Sequence, residues 1–143
     1  MTVFKHILFA TDFSPASKGA LDIALAVTRD CGSTLTVMHA CEVPTHVELD
    51  APLDVLAPVI EHGRARLEKL VGSLREAHPG VREMLKVGVA WEQILAAVGE
   101  SKADLIVMGT HGRRGVEHAL MGSVAERVVQ LSPIPVLTVP VRK

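Results

Sequence analysis

The densest run of chemistry-bearing residues is Gly109-Thr110-His111-Gly112-Arg113-Arg114-Gly115. Gly109 and Gly112 let backbone approach a ligand and adopt positive φ. His111, Arg113 and Arg114 place local positive charge in a chain of 15 basic and 16 acidic residues, net charge −1. Downstream, Gly122-Ser123 opens a helix, whose first amides lack intrahelical acceptors and bind anions. Open glycines, arginines and a helix N-terminus together describe a phosphate cradle. Two further segments belong with it if they leave strands at the same sheet edge. These are Thr11-Asp12-Phe13-Ser14 and Ala40-Cys41.

Other chemistries fit less well. The chain has no G-x-x-x-x-G-K-[ST] and no G-x-G-x-x-G after its first strand. No G-x-S-x-G elbow surrounds Ser14 or Ser123, which read as helix caps. The seven histidines, His6, His39, His46, His62, His78, His111 and His118, show no H-x-x-x-H spacing. Only His39 and His111 are expected at the ligand edge, too few for zinc. Trp91 reads as a packing cap over a sheet edge. Glu42, Glu48 and Asp50 read as a solvated face in an irregular connection over 42–52.

The elements that must position these residues are short β-rich runs alternating with helix-length stretches. Strands are predicted over 4–10, 34–40, 81–87, 104–108 and 135–141, the fourth and fifth almost continuously apolar, as strands buried on both faces are. The first helix opens at Ser14-Pro15, carries a stripe of Leu21, Ala24, Leu25 and Thr28, and closes at Cys31-Gly32. The second spans roughly 53–77, with Pro58 in its first turn or else a later start. The third covers about 90–101, with Ile94, Leu95 and Val98 inward. The fourth runs from about 123 to 131, with Ser123-Val124-Ala125-Glu126 as a capping box. This order implies an α/β fold in one domain over 1–143, a doubly wound parallel sheet with helices on both faces. Ligands bind such sheets beyond the carboxyl ends of the strands, where strand order reverses. The layout also sets Cys31 and Cys41 near opposite edges. Sheet depth is about 20 Å at roughly 3.3 Å per residue, and a disulfide needs Cα atoms within about 7 Å. They are expected to be separate thiols.

Gly109-x-x-Gly112, nine residues, then Gly122-Ser123 resembles the glycine pattern of nucleotide-binding members of the universal stress protein family. LIVMGTHGRRG resembles that family's fourth strand and loop, HILFATDFSPAS its first strand and PIPVLTVP its closing strand. The resemblance covers essentially the whole chain. It implies a five-stranded sheet of order 3-2-1-4-5 and a bound ATP or ADP, with Mg²⁺ or Mn²⁺ held through the phosphates. Thr11, Asp12 and Ala40 then line the base and ribose end, with Met108 near them. Gly109, His111, Gly112 and Arg113 follow the ribose and phosphates. Gly122, Ser123 and Val124 hold the polyphosphate. One of Arg113 and Arg114 is expected to meet phosphate and the other solvent. Ala10 and Ala40 are smaller than the residues common there, which enlarges the adenine pocket.

The expected function is an ATP-binding stress-response or signalling module. The alternative is a nucleotide-independent, dimeric interaction or chaperone-like scaffold. Asp12 can hold a water or a phosphate-bound metal, so slow ATP hydrolysis is the most an enzyme reading supports. The pattern offers no second carboxylate as base. Partners are an adenine nucleotide, an unspecified protein, and a second copy paired through the fifth strand, Val136–Val141. That strand is apolar and at a sheet edge, with Pro140 blunting one end. The balanced charge argues against nucleic acid, and four aromatics, Phe4, Phe9, Phe13 and Trp91, make no stacking platform. At 48% hydrophobic and 22% charged the chain supports a core. No apolar run approaches the roughly 20 residues of a membrane helix. Met1 to Phe9 lacks a leader pattern, and the location expected is cytoplasmic.

Overall fold

The computed structural model describes residues 3–42, 53–111 and 121–141. Among these, strands and helices alternate: β1 (His6–Ala10), α1 (Pro15–Cys31), β2 (Thr34–Cys41), α2 (Leu53–Arg75), β3 (Arg82–Val87), α3 (Ala90–Ser101), β4 (Leu105–Gly109), α4 (Ser123–Leu131) and β5 (Val136–Val139). The sheet is ordered β3-β2-β1-β4-β5 and its strands pair in parallel. The central strand β1 sets Ile7 beside Leu35 and Leu105, and Phe9 beside Val37 and Val107.

Period-two alternation along these strands feeds two cores. Ile7, Phe9, Leu35, Val37, Leu105 and Val107 pack with Ala20, Leu21 and Ala24 of α1 and Leu67 and Val71 of α2. Leu8, Ala10, Met38, Ile106 and Met108 pack with Ile94, Ala97 and Val98 of α3 and Ala125 and Val128 of α4. Helices α1 and α2 therefore cover one face, α3 and α4 the other. Strand order reverses between β1 and β4, which puts the crevice between the chain leaving β1 and the chain leaving β4. No helix among the described residues is long and apolar enough to cross a membrane.

Several boundaries move for identifiable reasons. β1 starts at His6 rather than Phe4, because the Lys5 and His6 amides donate to the Asp104 carboxylate at 2.8 and 3.1 Å. β5 spans only Val136–Val139, since Pro135 and Pro140 on either side have no N–H to give a ladder. Pro58 lies in the second turn of α2, not the first. α4 does not use the predicted capping box. Gly122 is its N-cap, and the Glu126 amide donates to the Gly122 carbonyl at 3.0 Å. Ser123 is consequently the first helical residue and not a cap. At α1 the expected ends hold: Ser14 caps the N-terminus and Gly32, at φ 64°, closes the helix.

Candidate functional site

The β1 side of the crevice is built by a network of side chains on backbone. Beyond Ala10 the buried Thr11 amide still donates to the Met38 carbonyl at 2.9 Å, extending the sheet by one residue. The chain then turns sharply, with Phe13 at φ 65°, in the left-handed region that non-glycine residues seldom occupy. Local hydrogen bonds hold it there. The Phe13 amide donates to Thr11 Oγ1 at 3.0 Å and the Ser14 amide to Asp12 Oδ1 at 2.9 Å. Ser17 Oγ also donates to Asp12 Oδ1, at 2.7 Å, while the Ser17 amide donates to the capping Ser14 Oγ at 3.3 Å. Asp12 is thus a half-buried carboxylate aimed by two donors from the start of α1. Ser17 was not singled out from sequence. The available signal was its position three residues after the N-cap, where its amide meets the cap and its hydroxyl reaches back.

His39 orients the same turn from β2. Its Nδ1 lies 2.8 Å from the Thr11 carbonyl. A carbonyl only accepts, so Nδ1 is the donor in this contact. The Phe13 ring stacks against it, tilted 47° with centroids 4.5 Å apart.

On the β4 side, the Thr110 amide donates to the Val139 carbonyl at 3.0 Å, and the Gly122 amide to the Thr110 carbonyl at 2.6 Å. The second bond pins the N-terminus of α4 beside the end of β4. Because Gly122 has no side chain, α4 opens without a side-chain cap bond. The amides of Ser123, Val124 and Ala125 have no intrahelical acceptor and lie at the strand-reversal edge. His111 Nδ1 is 3.0 Å from Thr110 Oγ1. The floor between the two sides is apolar: Ala10 and Met108 are buried, and Ala40, Met121, Val124 and Trp91 pack on the same cluster.

Of the residues singled out from sequence, Thr11, Asp12, Ala40, Met108, Gly109, His111, Gly122, Ser123 and Val124 therefore meet at one edge. Gly112 and Arg113, with Arg114 and Gly115, lie outside the described residues, as do Glu48 and Asp50. Gly109 differs from expectation in kind. It does not have positive φ. A Cβ there would lie 3.0 Å from the Ala16 carbonyl carbon and Cβ, and 3.1 Å from its oxygen. Its missing side chain lets α1 pack directly on β4.

Both cysteines are free thiols. Cys41 is buried under α2, where a Cβ on Gly63 would come within 2.6 Å of its Sγ. Burial pushes the Cys41 thiol above its usual pKa, opposed only in part by the Arg64 charge, which keeps it protonated and unreactive at neutral pH. No group of three or more His, Cys, Asp or Glu among the described residues is arranged to hold a metal.

Residues 4–140 match the model of the universal stress protein family. A universal stress protein of Thermus aquaticus is 39% identical over 142 residues, covering 96% of this chain and 99% of the relative. The structure of the universal stress protein UspA from Lactobacillus plantarum superimposes with a TM-score of 0.82, at 20% identity and coverage of 94% and 97%. A universal stress protein from Archaeoglobus fulgidus, solved in complex with dAMP, superimposes at 0.67, with 20% identity and coverage of 97% and 99%. The fold is shared with these structures, and the chain belongs to the universal stress protein family.

Proposed function

We propose that this protein is an adenine-nucleotide-binding module of stress response or signalling, acting in the cytoplasm, whose nucleotide state alters a surface read by a partner protein. The observation that carries the reading is the start of α4. A side-chain-free N-cap, tied to Thr110, leaves three helical amides at the strand-reversal edge. Such an N-terminus favours a phosphate through both its donors and its dipole. The apolar floor of Ala40 and Met108 suits a base, and the aimed carboxylate of Asp12 suits a ribose hydroxyl. The dAMP complex of the Archaeoglobus fulgidus protein supports an adenine ligand in this fold.

On this reading Thr11, Asp12, Ala40 and Met108 hold the base and ribose. Gly109, His111, Gly112 and Arg113 follow the phosphates, and Gly122, Ser123 and Val124 bind their end. Mg²⁺ or Mn²⁺ would be held by phosphate oxygens of ATP or ADP. The test is mass spectrometry of the natively purified protein with calorimetry of ATP, ADP and GTP. We expect an adenine nucleotide to co-purify and ATP to bind more tightly than GTP. Absence of ATP heat at millimolar nucleotide, with or without Mg²⁺, would overturn the reading.

The second element of the proposal is a homodimer through the β5 edge, the Val136–Val141 segment. Leu137 and Val141 are 37% and 50% exposed on this edge, and Val129 and Leu131 of α4 are exposed as well. An apolar edge with unpaired backbone groups favours a second copy about a two-fold axis. Val139 packs against the α1 face of the core, so the informative variant is Leu137→Lys with Val141→Lys. It is expected to sediment as a monomer with unchanged helicity. A wild-type protein that is monomeric at high micromolar concentration would refute the interface.

A further inference from the structure

The face of the sheet opposite Ala40 and Met108 carries a cavity. It lies between α1 and α2 over the end of β1 and has a volume of ≈ 280 Å³. Its walls include Phe9, Phe13, Leu21 and Leu70, and its cations are Lys18 and Arg66. Among the described residues no Asp or Glu lines it. The Arg66 guanidinium stands 4.4 Å from the centre of the Phe13 ring. Neither Arg66 nor Lys18 forms an ion pair among the described residues. Lys18 is exposed and Arg66 half-buried, which puts the charge at the rim and the apolar walls within.

These features select a ligand. A packed interior holds few voids larger than a water molecule, and a space of this size approaches the small end of ligand pockets. Apolar walls require an apolar body. Two cations without a carboxylate partner among the described residues favour a negative head, and the low-dielectric wall strengthens that attraction. The fork of Arg66 matches a carboxylate in two parallel hydrogen bonds. We propose that the α1–α2 cavity binds a small carboxylate with an apolar tail, the tail among Phe9, Phe13, Leu21 and Leu70 and the head between Lys18 and Arg66. The site lies on the other face of the sheet from the proposed nucleotide crevice and adjoins it at Thr11, which lines this cavity too. Phe13, whose neighbour Asp12 belongs to that crevice, forms part of its wall.

Sodium octanoate is the probe, with octylammonium and 1-octanol as controls. Amide chemical shifts of the wild-type protein, titrated in the presence of saturating ATP and in its absence, locate the site without any variant. Octanoate is expected to shift residues 14–21 and 66–70 to a saturating curve under both conditions. Octanol should bind about tenfold more weakly or worse, because the charge-assisted contacts are lost. Octylammonium should not bind. The double variant Lys18→Gln with Arg66→Gln should lower octanoate affinity about tenfold or more and leave octanol unchanged. Leu70→Trp should abolish both. No saturating shift, shifts centred on residues 108–111 and 121–125, or octylammonium binding as tightly as octanoate would each overturn the proposal. Because the mapping is done without added nucleotide as well, failure of the nucleotide reading leaves this test intact.

Discussion

Gly122→Val is expected to weaken ATP binding by about a hundredfold or more while the protein remains folded. The backbone at Gly122 is extended, φ −72° and ψ 163°, a conformation that valine adopts without strain. Its amide bond to the Thr110 carbonyl needs no particular side chain. As an N-cap valine is much worse than glycine, a cost of about 1 kcal/mol, which a folded domain of ordinary stability tolerates. The branched side chain, however, stands beside the amides of Ser123, Val124 and Ala125, where a phosphate must arrive. A hydrogen bond to a charged group contributes about 1.5–3 kcal/mol, and every 1.4 kcal/mol is about a factor of ten in affinity. Losing two such contacts reaches the expected hundredfold. Gly122→Ser provides a graded comparison, because its hydroxyl can cap the helix itself and compete with the phosphate. Calorimetry of the three proteins, paired with thermal unfolding, makes the check. Equal ATP affinity in wild type and Gly122→Val would remove α4 from the site.

The sequence announced the alternation of elements because the strands are nearly continuous apolar runs and the helices carry end signals. Ser14-Pro15 and Gly32 show this well: each signal is local, and each sits at the expected end of α1. Periodicity alone required only a parallel sheet covered on both faces. The order 3-2-1-4-5 came from family resemblance, and the pairing of β1 with both β2 and β4 agrees with it. The site edge was legible for the same reason, since the ends of β1, β2 and β4 fix Asp12, Ala40 and Met108 in one crevice.

What escaped depends on contacts far apart in the chain. A capping box at Ser123 and a glycine cap at Gly122 differ by one residue. The bond between Gly122 and Thr110 favours the second. Positive φ at Phe13 goes against residue preference and is held by Thr11, Asp12, Ser14 and Ser17 acting together. Glycines were the least readable. Nothing in their identity states whether the space they leave is for a ligand, as expected at Gly109, or for another element, as found at Gly63 and Gly109.

Gly109→Ala separates those two meanings, and it is expected to destabilise the protein by about 1–3 kcal/mol. The added methyl would sit 3.0 Å from Ala16 backbone, and neither side has room to yield. Ala16 is in the first turn of α1, which Ser14 caps and which Asp12 fixes through Ser17. β4 is held between β1 and β5. Relief requires α1 to lift from the sheet by a few tenths of an ångström, loosening Ala20, Leu21 and Ala24 above Ile7 and Val107. For a chain of 143 residues, that cost lowers Tm by roughly 3–10 °C. Gly72→Ala in α2 and Gly99→Ala in α3 are the matched controls. Each glycine is exposed within a helix, and a Cβ there meets nothing within 4 Å. Both changes are expected to stabilise by about 0.5–1 kcal/mol, through lower chain entropy in the unfolded state. Opposite signs for the same chemical change, read by thermal or urea unfolding, would show that Gly109 serves the packing of α1 on β4. If Gly109→Ala instead kept full stability and lost only ATP binding, its missing side chain would serve the ligand, and the packing account would fail.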